Sequence, residues 1–292
     1  MTTTSPVGRA PVAPGYGLPL LGRRPGLFSY LGKVRLRLPF AIELASSRFR
    51  AENEADRLGV AWVVLRPLIN AAVYGFVFSL LLSGSRPPNY VGFLVIGVFL
   101  FQYFGTCLQE GSRAILANRG LVTTLRFPRA LLPIAVVVQA TLALGPMVAV
   151  MVLVVAITKI VANQTVLTPE WLLIVPILAM MAMFNLGIAF FAARTTIHLR
   201  DVAQLIPFVT RILFYLSGVI WPVERMAAGM PSVKKVLEAN PLNVYIEMTR
   251  NVLLHATAPT RAEWGWALGW AVAMLVLGFI WFWQAEELYG RD

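Results

Sequence analysis

Residue pairs whose spacing could support proton transfer are few in this chain of 292 residues. His198 lies three residues before Asp201, a spacing that lets two side chains meet on a helix. Glu286 and Glu287 are adjacent near the carboxyl end. Beside an apolar segment, such pairs are more typical of a solvated surface than of a catalytic site. The sequence therefore gives catalysis weak support, and we expect no catalytic residues in this chain.

Nucleotide and metal sites have no signature in the sequence. A phosphate-binding loop reads G-x-x-x-x-G-K-[ST], and no Gly-Lys pair followed by Ser or Thr occurs here. The single cysteine, Cys107, lies in an apolar run, and His198 and His255 are the two histidines, so a Cys/His metal cluster is not encoded. We expect no cofactor or metal on this chain, and any use of ATP and magnesium would require a partner.

The composition indicates a membrane protein. Hydrophobic residues make up 58% of the chain and charged residues 13%, whereas soluble domains have about 45–50% and about 25%. Lipid must then be the solvent for part of the chain. Lys and Arg lie mainly in the connections between apolar runs, where they orient a membrane protein. The net charge of +11 therefore does not indicate nucleic-acid binding.

Six apolar runs, each near the ~20 residues that a helix needs to cross the hydrocarbon, predict an all-α domain of six transmembrane helices in residues 58–285. The runs are Leu58–Leu82, Val91–Leu108, Leu131–Ile157, Trp171–Ala193, Val202–Trp221 and Trp264–Trp283. No Asp or Glu lies inside these runs, so coupling to an ion gradient through an intramembrane carboxylate is not expected. If the protein moves a substrate uphill, a partner must supply the energy.

The ends of the chain are predicted to be cytosolic, because most Lys and Arg residues fall on their side of the plasma (inner) membrane. Residues 1–35 are predicted to be a flexible tail, and residues 286–292 a second short tail. Leu27, Leu31 and Val34 repeat with helical spacing before Pro39, and Ile42, Ala45 and Phe49 continue the pattern among charges. We assign residues 36–57 to an amphipathic helix in the membrane interface. A soluble helix packed on another domain is the alternative.

Between the fifth and sixth runs, residues 222–263 form a long segment on the external side. Val233–Leu237 and Val244–Leu254 have helical periodicity but are too short to span a bilayer. They are predicted to be re-entrant or surface helices, which membranes tolerate where the backbone is buried in protein or lines a wet cavity.

Four local patterns together resemble the permease subunit of ABC type-2 exporters, in the polysaccharide and teichoic-acid branch. In order, they are Leu58-Gly59 with Trp62, Leu65 and Pro67-Leu68; Asn118 with Leu121, Phe127-Pro128-Arg129 and Leu132-Pro133; Arg200-Asp201-Val202; and Asn240-Pro241-Leu242. Order and spacing are kept over residues 36–292. The Ala- and Arg-rich composition and the proline-rich tail look like actinobacterial (mycobacterial) members that export lipid-linked galactan.

The resemblance implies a homodimer paired with two copies of a separate ATPase. In the family, the interfacial helix and the first cytosolic connection transmit closure of the ATPase to the spans, and the first and fifth spans line the channel. The residues that would carry the coupling here are Arg48, Arg50, Asn118, Arg119, Phe127 and Arg129.

Aromatic side chains on the first and fifth runs are candidates to line the channel, because aromatic faces can stack on sugar rings. They are Tyr74, Phe78, Phe214 and Tyr215, and each could equally pack against lipid or a neighbouring helix. Arg211 lies nine residues after Val202, or roughly 14 Å along a helix and near the membrane midplane. It would face the channel or hydrogen-bond to backbone carbonyls of a neighbouring span, because lipid exposure there is costly.

The sequence thus predicts the channel-forming permease of an ATP-driven exporter of a polyprenyl-diphosphate-linked polysaccharide, of the galactan type. An exporter of a drug or lipid is one alternative. A membrane-embedded transferase that acts on a polyprenyl substrate is the other.

Overall fold

In the computed structural model, the described residues are 26–54, 57–81, 89–166, 168–223 and 229–287, with residues 79–81 known by their backbone alone. Most of the predicted amino-terminal tail lies outside these ranges. So do residues 288–292 of the predicted carboxyl-terminal tail and residues 224–228 of the predicted external segment.

The described residues form eleven α-helices, numbered here in chain order. They are α1 (Leu27–Leu36), α2 (Leu38–Glu54), α3 (Ala61–Leu81), α4 (Tyr90–Arg113), α5 (Arg119–Thr124), α6 (Leu131–Val161), α7 (Ile174–His198), α8 (Val202–Leu216), α9 (Pro231–Glu238), α10 (Pro241–Leu253) and α11 (Arg261–Trp283). Long-range hydrogen bonds join α1 to the start of α6 and to the segment just after α11, and α2 to the connection after α4. Both ends of the described chain lie at the end of the bundle that these bonds join, and we call it the terminal end. The other end of the bundle is called the opposite end.

Five stretches of the described chain are long and apolar enough to cross a membrane, by length and composition. They are Ala61–Phe78, Tyr90–Arg113, Leu131–Val161, Pro169–His198 and Arg261–Trp283. These stretches coincide with five of the six predicted runs, and the predicted all-α membrane fold is confirmed.

The fifth predicted run, Val202–Trp221, is helical only over α8. Its 15 residues span about 22 Å, which is less than the ~30 Å of a hydrocarbon core. The helix ends because Gly218 adopts a left-handed φ of +65°. A Cβ at this position would also lie 2.7 Å from the Oδ1 of Asn243. The sixth span therefore stays a prediction.

The two helical stretches predicted between the fifth and sixth runs are present as α9 and α10. Asn240 caps α10, because its Oδ1 accepts a hydrogen bond from the Leu242 N–H at 3.0 Å, and Pro241 fits the first turn. Most side chains of α10 are buried, including Tyr245 and Arg250. The α10 helix is therefore packed into the bundle, and its re-entrant or surface arrangement stays a prediction.

The amino-terminal region is more ordered than the sequence predicts. The structure begins a helix at Leu27, inside the predicted flexible tail, and Tyr30 and Val34 on this helix are buried. The chain bends at Arg37, and Pro39 lies in the first turn of α2, where a proline is tolerated. On α2 the buried residues are Ala41 and Ala45, whose small side chains let the helix pack on α6. The predicted boundary at residue 35 therefore falls within a helix.

The α7 and α11 helices make the most extensive contact between two helices of the described chain. They cross at Gly187 and Gly278, where a Cβ added to Gly278 would overlap the backbone of Gly187. A Cβ added to Gly187 would overlap the backbone of Met274. Small residues at a crossing allow membrane helices to approach closely, and we call this closely packed pair the back of the bundle.

Candidate functional site

A platform at the terminal end, formed by α1, α2 and residues 116–130, contains all six residues predicted to couple to an ATPase. The Arg48 guanidinium donates a hydrogen bond to the Oδ1 of Asn118 and so ties α2 to the connection after α4. Nη1 of Arg37 donates to the Arg126 carbonyl at 2.7 Å. These bonds join segments up to 89 residues apart, so the platform is one packed unit.

Some of the predicted coupling residues pack within the platform, and others are exposed on its surface. The ring of Phe127 packs on that of Phe40 with centroids 5.5 Å apart. Arg50 is 64% exposed and lies 3.6 Å from Glu43, also an exposed side chain. Arg119 is exposed, and its guanidinium makes no hydrogen bond or ion pair with the residues the structure describes. Among the six predicted residues, Arg50 and Arg119 are the two that project outward from the platform.

Arg129 is turned inward, toward Glu286. The backbone N–H of Arg129 donates to Oε1 of Glu286 at 3.1 Å, and its Nη1 lies 3.7 Å from the same oxygen. The Tyr30 hydroxyl donates to Oε2 of Glu286 at 2.7 Å and accepts from the Ala130 N–H at 3.1 Å. Glu286 is 5% exposed. The prediction that it lies on a solvated tail is wrong, because Tyr30 and Arg129 supply donors for a buried carboxylate.

Two opposed effects act on the pKa of the Glu286 carboxyl. Burial raises the pKa of the carboxyl above its usual value, and the donors of Arg129 and Tyr30 act in the opposite direction without cancelling it. The folded protein therefore holds this proton to a higher pH than the unfolded chain does.

Three of the four predicted channel aromatics form a cluster between α3 and α8, and the fourth, Phe78, lies apart from it. The ring centroids of Tyr74 and Phe214 are 5.0 Å apart, and those of Phe214 and Tyr215 are 5.5 Å apart. Phe214 is buried against Phe101 of α4, and Phe78 packs edge-on against a tryptophan beyond α8. Phe214 is thus a packing residue in this chain, whereas Tyr215 stays exposed.

Arg211 lies one helical turn before Tyr215 on the exposed face of α8. Phe208 and Ile212 are exposed beside it. Within the described chain, no hydrogen bond or ion pair reaches the Arg211 guanidinium, although it lies within electrostatic range of Tyr74. A structural role for Arg211 through carbonyls of a neighbouring span therefore finds no support among the described residues.

A polar cleft of about 790 Å³ opens between α2, α3, α4 and α6 in the terminal half of the bundle. Its charged lining residues are Arg48, Glu52, Arg66 and Glu110. Gly59, which begins the first of the four sequence patterns, lines it with a left-handed φ of +49° that favours glycine. This cleft was not predicted from the sequence, because its charges come from three separate helices, α2, α3 and α4.

Arg250 is the largest fully buried side chain of the described residues and was not predicted to have any role. Its Nη1 donates to the Gly218 carbonyl at 2.8 Å, and its Nη2 donates to Val219 at 3.0 Å and to Phe93 at 3.1 Å. Glu247 accepts from Nη1 at 2.6 Å. Arg250 thus satisfies the carbonyls that the end of α8 leaves unpaired. No signal in the sequence separates Arg250 from the other cations of its segment.

The positions of the described residues add no support for a catalytic site or a metal site. His198 accepts a hydrogen bond from Nε of Arg194 at 3.4 Å, and Asp201 is exposed at the start of α8. Within the ranges described above, no group of three or more His, Cys, Asp or Glu side chains is placed to hold a metal ion.

Comparison with known proteins shows what the sequence of this chain is similar to. Residues 49–254 match the model of the ABC-2 type transporter family. The chain is 22% identical over 233 residues to an O-antigen export system permease protein of Klebsiella pneumoniae, covering 77% of this chain and 85% of that protein. It is 24% identical over 185 residues to a protein of the same description from Myxococcus xanthus, covering 63% of this chain and 68% of that protein.

Proposed function

Because the chain belongs to the ABC-2 type transporter family, we propose that it is the channel-forming permease of an ATP-driven polysaccharide exporter. The observation that carries the proposal is the similarity to O-antigen export permeases over most of both chains. These relatives favour a polysaccharide over a drug or a lipid. No arrangement of described residues favours a transferase.

The terminal end is proposed to face the cytosol, where a separate ATPase would bind the platform. This chain would bind neither ATP nor magnesium and would catalyse no reaction, so all nucleotide chemistry would belong to the partner. Arg50 and Arg119 are the coupling candidates that project from the platform. We propose that they contact an acidic surface of the ATPase, whereas Arg48, Asn118, Phe127 and Arg129 hold the platform together.

Charge reversal tests this contact. In an Arg50→Glu/Arg119→Glu variant, association with the partner ATPase should fall about tenfold or more, because like charges across an interface cost several kcal/mol. Titration of the purified subunits measures this. Lys235→Glu is the matched control, since Lys235 is exposed on α9, away from the platform. Unchanged association of the double variant would contradict a platform contact through these two arginines.

A homodimer would explain the exposed faces of α3 and α8. Large apolar side chains are exposed on both helices, among them Phe76 and Phe208. Lipid could cover them, but a lipid-facing arginine near mid-membrane costs about 2.5–3.5 kcal/mol on insertion scales. Two copies that meet around these faces would enclose a passage and place Arg211 and Tyr215 on its wall. The guanidinium could then hold glycan hydroxyls or steer a diphosphate.

Replacing Arg211 with leucine tests its place on the wall. The Arg211→Leu variant should insert, assemble and support ATP hydrolysis at wild-type levels, since no described contact within the chain depends on Arg211. Polysaccharide export should fall about tenfold or more, because a wall arginine would act on the charged and hydroxyl groups of the substrate. Normal export by a well-expressed Arg211→Leu protein would rule out this role.

The substrate is proposed to be a polyprenyl-diphosphate-linked polysaccharide of the galactan type. The lipid-linked form rests on the resemblance to exporters of lipid-linked galactan, since the polar cleft carries Glu52 and Glu110 beside Arg48 and Arg66 and so has no net charge. The galactan type rests on the composition and the proline-rich tail described above.

A further inference from the structure

We propose that Glu286 is a positioning residue that locks the coupling platform to the back of the helix bundle. The proposal rests on the proposed function, because it concerns how a movement of the ATPase would reach the spans. It adds a residue outside the coupling set predicted from the sequence, at the carboxyl-terminal exit of α11.

Glu286 joins three segments that are distant in sequence. Oε2 accepts from the Tyr30 hydroxyl of α1, at a separation of 256 residues, and Oε1 accepts from the Arg129 N–H, at a separation of 157. The Glu286 backbone carbonyl also accepts from Nη1 of Arg129 at 3.0 Å. Tyr30 extends the network to the first turn of α6 through the Ala130 N–H. Both carboxylate oxygens are therefore occupied by the platform.

The Glu286 carboxylate lies where a movement of the platform could be transmitted to the helix bundle. Arg129 ends the connection that carries Arg119, the exposed residue proposed to meet the ATPase. Glu286 lies three residues after the end of α11, which packs on α7 with the close backbone contact at Gly187 and Gly278. On the other side of the platform, the Arg48–Asn118 bond reaches the end of α4 through the Asn118 amide, whose Nδ2 donates to the Ala114 carbonyl. The Glu286 network thus connects the platform to α11 and α7 by a separate route.

A buried network of charge-assisted hydrogen bonds suits this role. Such bonds are directional and stronger than neutral ones, and removal of one partner leaves the remaining donors unsatisfied. Apolar contacts nearby, such as that of Tyr30 with Phe279 at 6.1 Å between ring centroids, can slide without such a penalty. Loss of the carboxylate should therefore loosen the platform without unfolding the bundle.

The test compares export per ATP hydrolysed in vesicles that contain this chain and its partner ATPase. Glu286→Gln keeps the shape but removes the charge, and Tyr30→Phe removes only the hydroxyl. In both variants the ratio of polysaccharide moved to ATP hydrolysed should fall about fivefold or more, the scale of a modest coupling energy. Combining them should lower the ratio little further, because both act on one network. Glu287→Gln, at the neighbouring and more exposed carboxylate, is the matched control and should keep the wild-type ratio.

The outcomes separate this proposal from the function on which it rests. If the wild-type complex moves no polysaccharide, the proposed function fails. If the wild type exports and both variants keep its ratio, the positioning role is wrong. A fall in export that only follows a fall in assembled complex, at an unchanged ratio, would show a structural role and would also overturn the proposal. If Glu286→Gln does not fold, the ratio measured with Tyr30→Phe decides.

Discussion

Replacing Arg250 with leucine should leave little folded protein in the membrane. The substitution leaves the carbonyls of Phe93, Gly218 and Val219 without the donors they have now. Each buried acceptor left unsatisfied costs about 1–3 kcal/mol, so the loss should reach about 3–5 kcal/mol or more. That is a large part of the ~5–15 kcal/mol by which proteins of this size are stable. Thermal unfolding in detergent, monitored by size-exclusion chromatography, measures the effect.

Arg261→Leu is the matched control for this substitution. Arg261 is exposed at the start of α11, and a surface change of this kind should shift stability by less than about 0.5 kcal/mol. If Arg250→Leu were as stable as Arg261→Leu, Arg250 would not hold the turn after α8. The arrangement of α8 against α10 would then need another explanation.

Replacing Gly278 with alanine should be the next most damaging change. Its new Cβ would overlap the Gly187 backbone, and backbone cannot move aside as a flexible side chain can. The α7 and α11 helices would have to separate, at a cost of about 1–3 kcal/mol for an overpacked contact. We expect a lower unfolding temperature and less assembled complex.

Gly269→Ala provides the control on the same helix. A Cβ at Gly269 has nothing within 4 Å, so alanine there should be neutral or slightly stabilising, since glycine is the weaker helix former. Equal stability of the two variants would contradict the close crossing of α7 and α11.

Features that depend on local pattern could be predicted from the sequence. Apolar runs such as Leu131–Ile157 must be helical in lipid, because the backbone has no other source of hydrogen bonds there. The short helix α10 follows from a periodic segment with an Asn-Pro start. Leu27, Leu31 and Val34 already carry the period of α1. Its assignment to a flexible tail is wrong because burial of Tyr30 depends on residues at the far end of the chain.

Features that depend on distant partners could not be predicted. The end of α8 depends on a buried arginine 32 residues after Gly218, and no local pattern pairs the two. Glu286 and Glu287 look alike in sequence, yet only Glu286 meets Tyr30 and Arg129. The resemblance placed Arg129 among the coupling residues but could not tell an inward side chain from an outward one.

The role proposed for this chain is to form the path by which a partner ATPase exports a lipid-linked polysaccharide. It is tested most directly in inside-out vesicles that contain the purified chain alone, the ATPase alone or both, supplied with lipid-linked polysaccharide and ATP. We predict that glycan enters the lumen, where it is protected from added glycosidase, only when both proteins and ATP are present. The chain alone should hydrolyse no ATP. ATP hydrolysis by the isolated chain, or a failure of the complete system to protect any glycan, would contradict the proposed role of this chain as the export path.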